Sequence, residues 1–143
     1  MMIKQISVFV ENKPGHLVEI ASALAQAGID IRALSLADTA NYGILRLIVA
    51  QPDLAYQVLR EQGHTVSLTD VLAVGVDDRP GGMVRALSVL AEKKISVEYM
   101  YAFIGDAEDC AKVILRLDDN EAGAAALGEA GVRILRPEEL YQL

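Results

Sequence analysis

The sequence contains one cysteine, Cys110, and two histidines, His16 and His64, among 143 residues. A single cysteine excludes an internal disulfide framework and suits a reducing compartment, so we expect a cytoplasmic protein. Two histidines and one cysteine also provide no ligand spacing for zinc. We therefore predict neither a metal site nor a cofactor.

Long apolar runs and basic stretches are also missing. No apolar segment approaches the roughly 18 residues of a membrane-spanning helix, and Lys4 is followed by a short strand-like run where a signal peptide would have its apolar core. The net charge is −7, with acidic and basic residues interspersed, which disfavours binding to nucleic-acid phosphates. We expect neither a membrane nor a nucleic acid among the partners.

What the chain does contain is an internal repeat. Residues 8–17 (VFVENKPGHL) are matched 66 residues later by residues 74–83 (VGVDDRPGGM). In each copy an apolar strand pattern leads into a polar turn, then Pro-Gly, then a helical pattern. A repeat defines the size and the start of a structural unit. We predict two domains, residues 1–70 and residues 71–143, each of which would bury only about 60% of its unfolded surface and be marginally stable alone.

Both units show the same sequence of apolar patterns. Alternating apolar residues predict a first strand, and the next segment has apolar residues at helical spacing: Leu17, Ile20, Ala21 and Leu24. Gly28 is predicted to end this helix in a left-handed conformation, and Ile29, Ile31 and Ala33 alternate as a second strand. A third strand, a second helix and a short fourth strand follow, and only Thr69-Asp70 separates the units.

The order βαββαβ, found twice, is that of the ferredoxin-like arrangement. We predict an α+β fold of two such units, each an antiparallel four-stranded sheet with helices on one face. The other face carries Phe9, Ile44 and Ile48 in the first unit and Ile114 in the second. An apolar face of this kind marks a packing surface, which predicts association between units or between chains.

The turn at residues 12–16 is the best candidate for a binding site. Pro14 suits a helix start, and Gly15, without a Cβ, allows a ligand to approach closely. The first amides of the helix would hold a carboxylate, and Asn12 would add a donor and an acceptor. These groups suit an α-amino acid, although Pro-Gly between a strand and a helix is also an ordinary turn without a function.

The second turn differs from the first at two positions. Asp78 replaces Asn12, and Gly82 replaces His16. A carboxylate at position 78 would attract an ammonium group more strongly and would tend to repel a ligand carboxylate. We therefore expect the first turn to be the better binding site.

The combination of these motifs resembles the ACT domain family. The motifs are the residue 8–17 turn, the helix end at Gly28, Ile29-Asp30-Ile31, the Gly43-x-x-Arg46 strand, and in the second copy residues 78–83 and 95–97. The resemblance covers almost the whole chain, as two units with no catalytic domain attached. It implies ferredoxin-like regulatory modules that typically bind amino acids and pair side by side into continuous sheets.

The resemblance also implies a set of ligand-binding residues. In the family, the ligand lies between the first strand–helix turn of one domain and the second strand of its partner. The corresponding residues here are Asn12, Pro14, Gly15, His16, Leu17, Asp78, Pro80, Gly81, Gly82 and Met83. Residues 11–15 are similar to the serine-sensing turn of phosphoglycerate dehydrogenases, whereas Asp78 and Gly82 depart from that pattern.

Other reactive side chains have simpler interpretations. We interpret His64, at a helix end, as a structural residue that suits the helix dipole, and Cys110 as a small packed residue. The acidic loop with Asp106, Glu108 and Asp109 could hold a hard cation but is expected to be solvated. The aromatic segment 99–101 is expected to pack, with a place in the ligand pocket as the alternative.

These observations predict a non-catalytic regulatory protein that senses an amino acid at ACT domain interfaces and modulates an enzyme of amino-acid metabolism. We expect a homodimer formed through sheet edges or outer sheet faces. The alternative is a structural adaptor that joins enzyme subunits without sensing a ligand. An enzyme is disfavoured because the sequence shows no acid–base pair and no nucleophile with a base.

Overall fold

The computed structural model describes residues 2–38, 41–103 and 110–141. Its contacts divide these residues into two compact units. The N-terminal unit comprises Lys4–Thr69 and Tyr141, and the C-terminal unit comprises Asp70–Leu140 with Met2 and Ile3. The domain boundaries 1–70 and 71–143 stay a proposal, and each unit is described by itself below.

The N-terminal unit is a sheet with helices on one face. Its elements are β1 (Ile3–Glu11), α1 (His16–Gln26), β2 (Ile31–Asp38), β3 (Tyr42–Val49), α2 (Pro52–Glu61) and the first part of β4 (Thr65–Asp77). The strand order is β4-β1-β3-β2, with β3 antiparallel to both β1 and β2. Alternate residues of β1 and β3 pack against residues of α1 and α2 in one core, which includes Ile6, Val8, Leu45 and Leu47 from the strands and Ile20, Leu24 and Leu59 from the helices.

The C-terminal unit repeats this arrangement. After the second part of β4 come α3 (Val84–Glu92), β5 (Val97–Ala102), β6 (Cys110–Leu117), α4 (Asn120–Glu129), β7 (Arg133–Ile134) and α5 (Pro137–Tyr141). The strand order is β7-β4-β6-β5. The predicted α+β class with two βαββαβ units is thus confirmed. Of the helices in the described ranges, none is long and apolar enough to cross a membrane.

The junction between the units differs from the prediction. The fourth strand of one unit and the first strand of the next form one strand, β4, that runs unbroken through Thr69 and Asp70. Residues 64–74 contain no glycine, proline or asparagine. The segment thus lacks the residues that most readily adopt a positive φ or fix a turn, which is compatible with a continuous extended backbone.

The alternation predicted for the second strand is interrupted. The pairing of β2 with β3 shifts between Ile31 and Ala33. Ile31 packs against the core, whereas Ala33 pairs with Ile48 outside that core. A register irregularity moves the residues after it to the other face, so Ile31 and Ala33 do not share a face. A matching shift lies in β5 of the C-terminal unit.

The apolar residues singled out by spacing are buried to different degrees. In α1 the buried residues are Ile20, Ala23 and Leu24, whereas Leu17 is 42% exposed. The core-facing stripe therefore extends through Ala23, and Leu17 remains at the surface. On the sheet face away from the helices, Ile48 and Ile114 are fully buried, whereas Phe9 is 56% exposed.

Candidate functional site

The first turn connects the end of β1 to the start of α1. The N-cap residue of α1 is Gly15, with φ +90° and ψ −16°, a left-handed conformation that glycine adopts without strain. Asn12, Pro14 and Gly15 are exposed, and no described atom lies within 4 Å of the place where a Cβ on Gly15 would be. A glycine has no side chain that could accept a hydrogen bond from the first amides of α1, and the first of these, that of His16, donates to the Lys13 carbonyl at 3.5 Å.

The side chain of His16 joins the two ends of the first turn. Its Nδ1 accepts a hydrogen bond of 2.9 Å from the backbone amide of Glu11, which joins the start of the helix to the end of the strand. In a neutral imidazole with an accepting Nδ1, the proton is on Nε2. The His16 ring stacks on His64, with centroids 5.5 Å apart and planes at 28°.

A cavity of about 320 Å³, which we name the N-terminal pocket, lies beside this turn. Its lining comes from the end of β1, the starts of α1 and β3, and the segment that leads into β4: Phe9, Val10, Glu11, His16, Tyr42, Gly63, His64 and Thr65. The walls combine two imidazoles, a phenol, a carboxylate and a hydroxyl with an aromatic ring. Such a mixture of polar groups and apolar surface is typical of a small-molecule site.

The second turn has a different shape. Helix α3 begins at Val84, two residues later than the repeat would place it. Gly82, at the position of His16, donates its amide to the Arg79 carbonyl at 2.9 Å, just as His16 donates to the Lys13 carbonyl at 3.5 Å. A Cβ on Gly82 would lie 1.9 Å from the carbonyl oxygen of Asp77. The second turn thus folds back onto the end of its strand, where no side chain fits.

A larger cavity of about 670 Å³, the C-terminal pocket, lies beside the second turn. Its walls come from the end of β4, the turn, the start of α3, Cys110 and residues 131–133. The side chains of Arg79, Arg85 and Arg133 line it. Whereas imidazoles dominate the N-terminal pocket, guanidinium groups dominate this one.

Each of these arginines has a defined contact. Arg79 forms an ion pair with Asp77 at 3.0 Å, and Arg133 forms one with Glu139 at 2.7 Å. Arg85 donates to the carbonyl oxygen of Ala130, the C-cap residue of α4. Two of the three guanidinium groups that line the cavity are thus paired with carboxylates.

Glu139 is the acidic residue that anchors Arg133. A hydrogen bond from the backbone amide of Arg136 and another from the Arg133 guanidinium lower the pKa of Glu139. A lowered pKa in the folded state stabilises the fold above the ordinary glutamate pKa, and this contribution is lost as the pH falls through the lowered value.

We expect Glu139→Gln to be less stable than the wild type at neutral pH. The difference should shrink below about pH 4, where the unfolded glutamate is protonated. Denaturant midpoints measured across this pH range test the assignment. A difference that is independent of pH would show that the Glu139 charge does not contribute.

The ten predicted site residues are divided between pockets, surface and core. Those that line a pocket are His16, Pro80, Gly81 and Gly82. Asn12, Pro14, Gly15 and Asp78 are exposed on the turns, Leu17 is also exposed, and Met83 packs against the core of its unit. Their role in binding stays a prediction.

Sequence reasoning missed Tyr42 and the three arginines, and it gave His64 no place in the site. His64 follows Gly63 and lies immediately before β4, the strand that neighbours β1. In the aromatic segment, the rings of Tyr99 and Tyr101 stack with centroids 6.5 Å apart, and the expected core and interface packing stays a prediction. The acidic loop of residues 106–109 lies outside the described residues. Within the described ranges, no group of three or more His, Cys, Asp or Glu side chains could hold a metal ion.

Comparison with known proteins finds solved structures that are similar to this chain, among them the following three. A protein from Bacteroides thetaiotaomicron is 36% identical, with a TM-score of 0.93 over 100% of this chain and 98% of that one. The regulatory subunit of aspartate kinase from Thermus thermophilus is 20% identical, with a TM-score of 0.61 and coverage of 89% and 91%. The corresponding subunit from Thermus flavus is 17% identical, with a TM-score of 0.58 and coverage of 90% and 92%.

These two aspartate kinase subunits are similar to this chain in fold. No curated protein matches the sequence. A family model described as an ACT domain pair matches residues 1–142. Because this match spans nearly the whole sequence, the chain belongs to the family of ACT domain pairs.

Proposed function

We propose that this ACT domain pair is a non-catalytic regulatory protein of the cytoplasm that binds an amino acid and modulates an enzyme of amino-acid metabolism. The observation that carries the proposal is the open, left-handed turn at Gly15 beside the N-terminal pocket. The turn presents backbone amides and the pocket presents polar side chains, which is what a small zwitterion requires.

The two ends of an amino acid would bind to different groups. The first amides of α1, at the positive end of the helix dipole, would hold the carboxylate. Asn12 would contact the ligand at the rim with its amide group, which both donates and accepts. His16, fixed by its bond to Glu11, would form the wall between the turn and the pocket.

The edge strand of the N-terminal unit supports association with a second copy. β2 is at the edge of the sheet, with Leu34 and Leu36 44% and 47% exposed. In the C-terminal unit, Met100 on edge strand β5 lies at the position of Leu34 and is 40% exposed. An exposed apolar edge is a template for pairing with another strand. We propose that two copies pair through these edges.

We expect Leu34→Lys to shift the protein from dimer to monomer, because a lysine on an edge strand opposes pairing with a second strand. Leu54→Lys is the matched control, since Leu54 is 38% exposed but lies on helix α2. Sedimentation of both variants over a range of concentrations measures the dissociation constant. Equal dimerisation of the two variants would contradict pairing through β2.

Regulation requires that the ligand distinguish two arrangements of the protein. A ligand shifts an equilibrium only by its difference in affinity for the two states. A site completed by two copies meets this requirement, because the ligand would bind the paired arrangement more tightly. We therefore expect amino-acid binding and dimerisation to strengthen each other.

The direct test is a calorimetric screen of the twenty amino acids against the wild-type protein. We expect saturable binding of at least one of them at millimolar or lower concentration. If none binds, the sensing function is wrong. Pull-down of an amino-acid-metabolism enzyme together with a negative screen would instead support the structural adaptor.

A further inference from the structure

The lining of the C-terminal pocket is more basic than the unit that contains it. Residues 71–143 contain eight basic and thirteen acidic residues, yet three arginines converge on this one cavity and Asp77 is the acidic residue in its lining. Like charges brought together repel each other. Asp77 and Glu139 each pair with one of the three guanidinium groups, whereas Arg85 donates to a backbone carbonyl. An anion in the cavity would be attracted to the positive charge that remains.

The three arginines come from three separate elements. Arg79 lies in the turn, Arg85 lies in the first turn of α3, and Arg133 lies in β7. They are separated by up to 54 positions in the sequence, and the fold brings them to one edge of the sheet. Groups that converge from several elements can surround a ligand, which a row of charges along one helix cannot do.

The contacts of Arg79 and Arg85 each involve one nitrogen of the guanidinium group. Arg79 contacts Asp77, and Arg85 contacts the Ala130 carbonyl at the end of α4. A guanidinium group carries five N–H donors in a planar fork that fits carboxylate and phosphate oxygens. Side chains that are already held lose less entropy when a ligand binds.

The N-terminal unit does not have this cluster. The positions of Arg79, Arg85 and Arg133 correspond there to Lys13, Glu19 and Thr65. Glu19 would repel an anion, and Thr65 is neutral. The arginine cluster is therefore a property of the second copy and not of the shared fold.

We infer that the C-terminal pocket binds a small anion with at least two negative charges, either a phosphate group or a dicarboxylate. This ligand class differs from the amino acid proposed for the first turn. The inference stands on the pocket and its arginines, and it does not depend on the first turn.

Thermal shift and calorimetry with simple probes test the inference at constant ionic strength. Inorganic phosphate and succinate represent the two sources of dianion, and acetate is the monoanionic control. We expect saturable binding of phosphate, succinate or both, and none of acetate. Whichever dianion binds more tightly identifies the source.

Two charge-matched variants on one helix locate the site. Arg85→Gln should weaken binding by about tenfold or more, because a charge-assisted hydrogen bond is lost. Lys93→Gln also removes one positive charge, but about 12 Å away along α3, and should bind as the wild type does. If Arg85→Gln does not fold, Arg79→Gln replaces it, since the Arg79 side chain is 74% exposed.

Cys110 provides a second, local measurement. It is the single cysteine of the chain and it lines the pocket. A bound dianion should slow its alkylation by a neutral maleimide, whereas acetate should not.

The inference is wrong if neither dianion binds saturably, if the Arg85 and Lys93 variants lose affinity equally, or if alkylation is unaffected at saturation. Gly15→Val should retain dianion binding, which separates this site from the amino-acid site.

Discussion

Alanine in place of Gly82 is expected to destabilise the C-terminal unit by about 2–3 kcal/mol, the upper part of the range for overpacking. The added Cβ would lie 1.9 Å from the carbonyl oxygen of Asp77 and 3.1 Å from that of Arg79. Both neighbours are backbone atoms, which cannot rotate away as the end of a side chain can. The turn and the end of β4 would have to move apart.

Gly128→Ala is the control for this experiment and should raise the free energy of unfolding instead of lowering it. Gly128 lies in helix α4, and the described structure has no atom within 4 Å of its added Cβ. Alanine is favoured over glycine in a helix by roughly 0.5–1 kcal/mol, and less near a helix end. Urea denaturation measures both changes. A Gly82→Ala midpoint equal to that of the wild type would show that the turn does not fold back onto Asp77.

The elements of the fold could be predicted because their patterns are local. Alternation along β1 and β3 and helical spacing in α1 both depend on near neighbours in the sequence. Gly28 ended α1 as predicted, with φ +72°. The unbroken β4 and the irregularity at Ile31 were not predictable, because pairing with a neighbouring strand decides whether an extended segment continues or bulges.

The turns could be predicted as candidate sites, but the pockets beside them could not. His16 and His64 are 48 positions apart in the sequence and stack only because β4 lies beside β1. The arginines of the C-terminal pocket meet for the same kind of reason. Sequence spacing locates a turn, whereas the strand order decides which distant side chains face it.

One of the positions at which the two copies diverge is that of His16 and Gly82. His16 has a side chain that bonds to the end of its strand and stacks over a small pocket. At the equivalent Gly82 the backbone itself occupies that space, and α3 begins later. Arginines then line a cavity about twice as large. One substitution in a repeated turn thus accompanies a change from an imidazole-lined site to a guanidinium-lined site.

Gly15→Val is expected to weaken amino-acid binding by about a hundredfold or more while the protein remains folded. At φ +90°, a β-branched residue is strained by roughly 1–3 kcal/mol, which a domain stable by about 5–15 kcal/mol can tolerate. The valine side chain would also fill the open space in front of the α1 amides. A carboxylate could then no longer approach them, so the loss of binding should exceed the loss of stability.

Gly28→Val separates these two effects. Gly28 has φ +72°, and the described residues leave the position of its Cβ open, but it lies at the far end of α1. Gly28→Val should therefore be destabilised by about as much as Gly15→Val, whereas its affinity for the amino acid should equal that of the wild type. Calorimetry with the amino acid found in the screen compares the affinities of the two variants, and urea denaturation compares their stabilities. Equal loss of binding in both variants would mean that strain in α1 controls affinity. Unchanged binding in Gly15→Val would place the site elsewhere. Because both glycines have a positive φ and open space at the added Cβ, a difference in affinity between the variants reports at which end of α1 the ligand binds.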